Sequence, residues 1–355
     1  MNNYNKTKKE FESLAHSRVL MTGANGFLGY YMIKSLIAWN DLHKNRAIDI
    51  TALSTFRSGI PEWMKILEKR PDFKILKKDI TKYPIPSRTP YDYVIHAASI
   101  ASPTYYRLFP VETINANVLG LYRILDYLVA RKKTRKPVKG LLYFSSSEIY
   151  GNPTKGNIPT PESYNGNVSC TGPRACYDES KRFCETLCVN YANVYGLPVK
   201  SARPFNNYGP GLKIDDKRVI PDIARFILQD RDIVLYSDGG PSRTFCYIAD
   251  AIAGYIKVLI RGKKAEAYNI GSEGPEITIS SLAETMRGIA HKQFGYTGTI
   301  RFEKSKDENY LKDNPQRRCP VIAKARKEIG FNPKISLEEG LIRSLLWYKQ
   351  QETSK

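Results

Sequence analysis

The stretch Ser17–Trp39, SRVLMTGANGFLGYYMIKSLIAW, decides the fold. Its apolar start, SRVLM, reads as a buried parallel strand. The run passes directly into TGANGFLG, with Gly23, Gly26 and Gly29 in GxxGxxG spacing, and then into the apolar-periodic YYMIKSLIAW. Strand, glycine turn and helix in that order open a dinucleotide-binding unit. The first glycines let backbone approach a pyrophosphate, the helix N-terminus offers it N–H groups, and the last glycine packs helix on strand. Gly23, Asn25, Gly26, Phe27, Leu28 and Gly29 are therefore candidate cofactor contacts.

Working outward, Ala47–Leu53 (AIDITAL) is the second strand, expected to end at the adenosine ribose. An acidic residue there would hold both ribose hydroxyls of NAD. Ser54, Thr55 and Arg57 follow instead, and such a neutral or basic end tolerates a 2′-phosphate, leaving NADP open beside NAD. Phe73–Ile80 (FKILKKDI) reads as the third strand, with Asp79 and Ile80 beside the adenine. Tyr91–Ser99 (YDYVIHAAS) is the fourth, ending in Ala97, Ala98 and Ser99, small enough for a cofactor to lie close. A helical pattern opens at Asn117, a further candidate cofactor contact, and runs to Ala130; Gly140–Phe144 is the fifth strand and Pro198–Ala202 the sixth. Strands alternating with helices predict an α/β fold, a doubly wound parallel sheet. After Arg203 the chain turns irregular, with Pro, Gly and Asp clusters, which suggests a smaller C-terminal lobe. The expected division is a polar tail at 1–16, a dinucleotide-binding domain at 17–204 plus 244–268, and a substrate-binding lobe at 205–243 plus 269–350.

Ligands of open parallel sheets sit beyond the carboxyl ends of the strands. The segment SSSEIYG, after the fifth strand, places Ser145, Ser146, Ser147 and Glu148 there. In RACYDESKR, Tyr177 and Lys181 stand four residues apart and share a helix face. An ammonium beside a phenol favours the phenolate and lowers its pKa from about 10. Such a phenolate can take a proton from a hydroxyl as the carbon beneath gives up a hydride. Arg243, where the chain returns between lobes, suits forked contact with a diphosphate.

With 355 residues, 42% hydrophobic and 25% charged, the chain has the make-up of a globular enzyme. No apolar run reaches the roughly 18 residues of a membrane span. The polar start lacks a secretory core, so a cytoplasmic protein without membrane insertion is expected. Six dispersed cysteines read as reduced thiols, and four scattered histidines predict no metal. The net charge of +20 suits a lysine-rich solvated surface or attraction of an anionic substrate. No nucleic-acid-binding signature accompanies it. A non-enzymatic nucleotide- or nucleic-acid-binding protein is the remote alternative, and the set Tyr177, Lys181 and Ser146, which a binding module does not need, argues against it.

HAASIASPTYY (96–106), SSSEIYG (145–151) and GPRACYDESKR (172–182) together resemble the extended short-chain dehydrogenase/reductase family of nucleotide-sugar enzymes. The likeness runs from about Ser17 to Tyr348 and is strongest to the UDP-glucuronate decarboxylases, the UDP-xylose synthases. Where the family's 4,6-dehydratases read T-D-E, this chain reads Ser146, Ser147 and Glu148, the decarboxylase pattern; dehydration and C4 epimerisation are the alternatives. The resemblance implies a Rossmann fold, bound NAD, a nucleotide-sugar substrate and a homodimer paired through helices near 117–130 and 175–196. It implies catalysis by Tyr177, Lys181, Ser146, Glu148 and Ser147, with Asn206 and Arg243 on the diphosphate and Ser102 with Tyr106 over the sugar. Close decarboxylases carry an acidic residue at Ser54, Lys at Asn115, Asn at Arg123 and Arg at Gly211; Arg123 is a candidate partner for a sugar carboxylate.

Overall fold

The computed structural model describes residues 2–305 and 312–353. Seven strands form one sheet: β1 (Arg18–Thr22), β2 (Asp49–Ser54), β3 (Phe73–Lys77), β4 (Tyr93–His96), β5 (Gly140–Phe144), β6 (Val199–Pro204) and β7 (Ala267–Ile270). Their spatial order is β7-β6-β5-β4-β1-β2-β3, and every neighbouring pair is parallel. The order reverses at β1, which places a crevice at the carboxyl ends of β1 and β4.

Eleven helices connect or cover these strands: α1 (Asn2–Leu14), α2 (Phe27–Leu42), α3 (Glu62–Leu67), α4 (Pro103–Leu108), α5 (Pro110–Lys132), α6 (Ala175–Tyr195), α7 (Val219–Leu228), α8 (Ile248–Arg261), α9 (Ile279–Phe294), α10 (Ala323–Ile329) and α11 (Leu337–Thr353) among the described residues. Alternation along each strand sorts the core into two layers. Leu20, Val94 and Leu141 pack with Leu121, Ile124 and Leu128 of α5 and Cys184 of α6. Val19, Met21, Ile95 and Leu142 face the other way, onto Met32, Ile33 and Leu36 of α2 and Ile252, Tyr255 and Leu259 of α8. Each such apolar side chain contributes about 1.5–3 kcal/mol by leaving water, which holds both layers against the chain's entropy.

Two expectations are corrected. The polar N-terminal stretch is a helix, not a tail. Thr7, Glu10, Phe11 and Leu14 are buried, Phe11 stacks on Trp39 at 5.8 Å, and Glu10 pairs with Arg261 of α8. The sheet also gains β7, which lies against β6 and runs past residue 268 to Ile270. Its four residues, AYNI, are too short for periodicity to mark them as a strand.

Beyond β6 the small strands pair with one another. Ser242–Arg243 lies between Ile277–Thr278 and Arg317–Arg318, and Ile233–Leu235 pairs with Ile300–Phe302. The first of these sheets brings Arg318 back over the end of β5, 170 residues from Glu148 in sequence.

Candidate functional site

The glycine turn is built as the sequence requires. Gly23 has φ 68, and a Cβ there would lie 2.5 Å from the Ala97 backbone. A Cβ on Gly29 would meet the carbonyl oxygens of Ala24 and Gly23 at 2.6 Å. Gly26 caps α2 without a side-chain hydrogen bond, so the first N–H groups of the helix are open to an anion. Asn25, Phe27 and Leu28 are half-buried along this turn.

Around the turn, Ile80 is packed in the core and Asp79 accepts hydrogen bonds from the Thr81 N–H and hydroxyl. Ala97, Ala98 and Ser99 are half-buried, and the Ser99 hydroxyl is a buried group without a hydrogen-bond partner. The Asn117 amide donates to Ser180 Oγ at 2.7 Å, while its Oδ1 is buried and unpartnered. Buried polar atoms are ordinarily satisfied. An orphaned hydroxyl and an orphaned amide oxygen, with a cradle that excludes Cβ atoms, fit a dinucleotide. Ser54 is half-buried and Arg57 exposed at the tip of β2.

Tyr177, Lys181, Ser146 and Ser147 converge, all buried, where β5 ends and α6 begins. Ser146 Oγ accepts from the Glu148 N–H at 3.2 Å and hydrogen-bonds the Tyr177 phenol. The Tyr177 ring stacks on Tyr106, with centroids 5.0 Å apart. Lys181 donates to the Phe144 carbonyl at 2.8 Å, and its ammonium lies 5.7 Å from the centre of the Tyr177 ring. The expected pull of Lys181 on the phenol is not what governs it here. Burial pushes the phenol up to about 12, with the Ser146 hydrogen bond working against that rise. Burial likewise pushes Lys181 down to about 8, which leaves it mostly charged at neutral pH.

Glu148, just beyond β5, is held by two arginines. Arg174 reaches it at 2.5 Å, and Arg318 forks onto both of its oxygens at 2.7 and 2.5 Å. Burial alone would raise this carboxyl, but the charges of Arg174 and then Arg318 overcome it and hold the group near 2. Arg174 Nε also lies 3.6 Å from Asp178, the residue after Tyr177. Burial first, and the Glu148 charge second, push Asp178 up to about 8. Arg174, Arg318 and Asp178 escaped the sequence reading. Arg174 was visible inside RACYDESKR, at i, i+4 from Asp178, whereas nothing local announced Arg318.

The remaining candidates separate. Ser102 donates to the Asp216 carbonyl at 2.8 Å, and Tyr106 keeps a buried, unpartnered hydroxyl beside Tyr177. The Asn206 side chain, on a backbone of φ 37, donates to the Thr244 carbonyl at 2.8 Å. Arg243 is buried and spends its donors on the carbonyls of Ser242, Gln316 and Pro315. Arg123 is the residue the structure does not bring in: it lies exposed on α5. Its helical register faces solvent, because the neighbouring Leu121, Ile124 and Leu125 take the sheet side.

UDP-glucuronic acid decarboxylase 3 of Arabidopsis thaliana is 35% identical over 324 residues, covering 91% of this chain and 86% of its own length. UDP-glucuronic acid decarboxylase 1 of Xenopus tropicalis is 31% identical, covering 94% of this chain and 72% of its own. Among solved structures, a dTDP-glucose 4,6-dehydratase from Streptomyces venezuelae with NAD bound superposes with a TM-score of 0.78 at 24% identity, over 95% of this chain and 98% of its own. A UDP-glucuronic acid 4-epimerase from Bacillus cereus gives 0.74 at 24% identity, over 94% of this chain and 99% of its own. These superpositions establish the shared fold. The model of the NAD dependent epimerase/dehydratase family matches residues 19–271, and with the glycine cradle, the seven-stranded sheet and the Tyr177–Lys181 pair at its carboxyl ends, the chain belongs to that family.

Proposed function

We propose that this chain is an NAD-dependent enzyme that decarboxylates UDP-glucuronate to UDP-xylose through transient oxidation at sugar C4. The observation that carries the reading is the pair of buried guanidiniums, Arg174 and Arg318, gathered on Glu148 within reach of the Tyr177 site. Two cations against one carboxylate leave positive charge where a uronate would sit. The relatives named as UDP-glucuronic acid decarboxylases support the same choice.

Gly23, Gly26, Gly29, Ser99 and Asn117 would hold the cofactor, which supplies the hydride acceptor and donor when bound. Tyr177, in its phenolate form, takes the proton of the C4 hydroxyl, and Ser146 steadies that charge through its hydrogen bond to the phenol oxygen. Lys181, fixed by the Phe144 carbonyl, keeps positive charge under the reacting carbon. Once C4 is a ketone, the C5 carboxylate is β to it, and loss of CO2 leaves an enolate rather than a bare carbanion; a proton from water would then reach C5, and the C4 ketone would regain its hydride together with the proton held on Tyr177. Glu148, held ionised, orients Arg174 and Arg318 toward the departing carboxylate. Ser147, buried where the family's dehydratases carry an aspartic acid, is a poor acid for expelling a C6 hydroxyl, which disfavours dehydration.

The purified protein mixed separately with UDP-glucuronate, UDP-glucose and dTDP-glucose tests the reading. It expects CO2 and a UDP-pentose from the first and nothing from the others. A 4-keto hexose from either glucose nucleotide, with no CO2 from the uronate, sinks it.

The outer faces of α5 and α6 support a homodimer. Val111, Ile114, Leu119, Phe183 and Val194 are large apolar side chains left 42–73% exposed on this pair of helices. Such a patch ordinarily marks an interface. Sedimentation should find a dimer in the wild type, and Leu119→Arg combined with Val194→Arg should weaken it by about tenfold or more. A wild-type monomer at all concentrations would remove the dimer from the proposal.

A further inference from the structure

We propose that the cofactor site of this chain admits a phosphate on the adenosine 2′ position, so that NADP binds alongside NAD. The site lies at the tip of β2, one residue past Leu53, whose carbonyl accepts the Ala24 N–H of the glycine turn at 3.3 Å. There the strand ends in Ser54, half-buried and neutral. A carboxylate at that position would hold the ribose diol and repel a phosphate; a serine hydroxyl does neither strongly.

Three cationic residues lie on the segments that meet at this strand tip. Lys77 stands opposite Ser54 in the β2–β3 register. The Lys78 N–H donates to the Ser54 carbonyl at 3.0 Å, which fixes the start of that residue beside the strand tip. Arg57 follows a sharp turn in which Phe56 is buried and adopts φ 48. A bulky residue rarely takes that conformation, and its buried ring ties the backbone down just before Arg57. Arg57, Lys77 and Lys78 are exposed, and none has an ion-pair partner among the described residues. The nearest carboxylate in sequence, Asp79, is engaged by Thr81. A 2′-phosphate dianion at this tip would lie among segments that carry an arginine fork and two ammonium groups, with the Asp79 carboxylate turned to Thr81.

The inference rests on cofactor binding, not on decarboxylation. Calorimetry on the nucleotide-free full chain, without sugar, therefore tests it separately from the reaction. NADP+ should bind no more than about threefold more weakly than NAD+, and adenosine 2′,5′-bisphosphate should compete with it. Ser54→Asp should lower NADP+ affinity by about thirtyfold while leaving NAD+ unharmed. Arg57→Ala with Lys77→Ala and Lys78→Ala should lower NADP+ affinity by about tenfold and NAD+ by less than about twofold. The NADP+ to NAD+ affinity ratio should also fall as KCl is raised. A wild-type penalty against NADP+ larger than about threefold, or equal losses for both nucleotides in the triple variant, overturns the inference. Failure would leave the decarboxylation reading standing, because no sugar takes part.

Discussion

Tyr177→Phe should lower kcat by about a thousandfold, the loss expected when a positioned proton acceptor is removed. The fold should survive. The ring stays stacked on Tyr106 at 5.0 Å, and the change deletes one hydroxyl whose partner, Ser146, retains the Glu148 N–H as donor. Losing that single hydrogen bond costs about 1 kcal/mol. NAD binding should be nearly unchanged, since the glycine cradle and the orphaned atoms of Ser99 and Asn117 lie elsewhere in the crevice. Tyr177 is held up near 12, chiefly by burial. Wild-type turnover should therefore climb with pH as the phenol ionises more readily, whereas residual turnover of the variant should show no such rise. A merely structural tyrosine would move stability and leave the pH profile alone. Measured kcat within about tenfold of wild type would mean that another group takes the proton.

Much of this was legible in the linear chain because the relevant physics is local. The turn at Gly23–Gly29 is specified by backbone conformation and close approach over seven residues. Tyr177 and Lys181 share a face by helical geometry alone. Two failures have a common cause. In α1, the buried positions Thr7, Glu10, Phe11 and Leu14 follow i, i+3, i+4, i+7 spacing, but two of them are polar. Glu10 became interior material only because Arg261 of α8 answers its charge. Similarly, Arg318 joins Glu148 across 170 residues, through a short strand of two residues that pairs with Ser242–Arg243. A periodic pattern cannot reveal a charge whose partner arrives by tertiary folding. Arg123 failed in the opposite sense: its chemistry suited a carboxylate, and its helical phase sent it to solvent.

Glu148→Gln should reduce CO2 release from UDP-glucuronate by about a hundredfold or more, and should destabilise the protein as well. Glutamine keeps the shape but presents an NH2 group where Arg318 or Arg174 now donates, so one guanidinium faces a donor. Breaking a buried, hydrogen-bonded charge pair costs about 3–5 kcal/mol. Asp178, 3.6 Å from Arg174, is the carboxylate left to answer two cations. Because the Glu148 charge is one of the causes that raise Asp178, the variant should let Asp178 ionise at lower pH. Glu148 itself is held near 2, below the roughly 4.3 of a free glutamate. Its contribution to stability is therefore complete above that free value and is lost as pH falls toward about 2. The stability gap between wild type and variant, measured by denaturant at several pH values, should be widest near neutrality and close through that acid window. If Tyr177 still completes its part, a carbonyl reagent should detect the C4 ketone in the variant while pentose formation stays low. Full CO2 release from Glu148→Gln would detach this charge cluster from the reaction and leave it only a structural role.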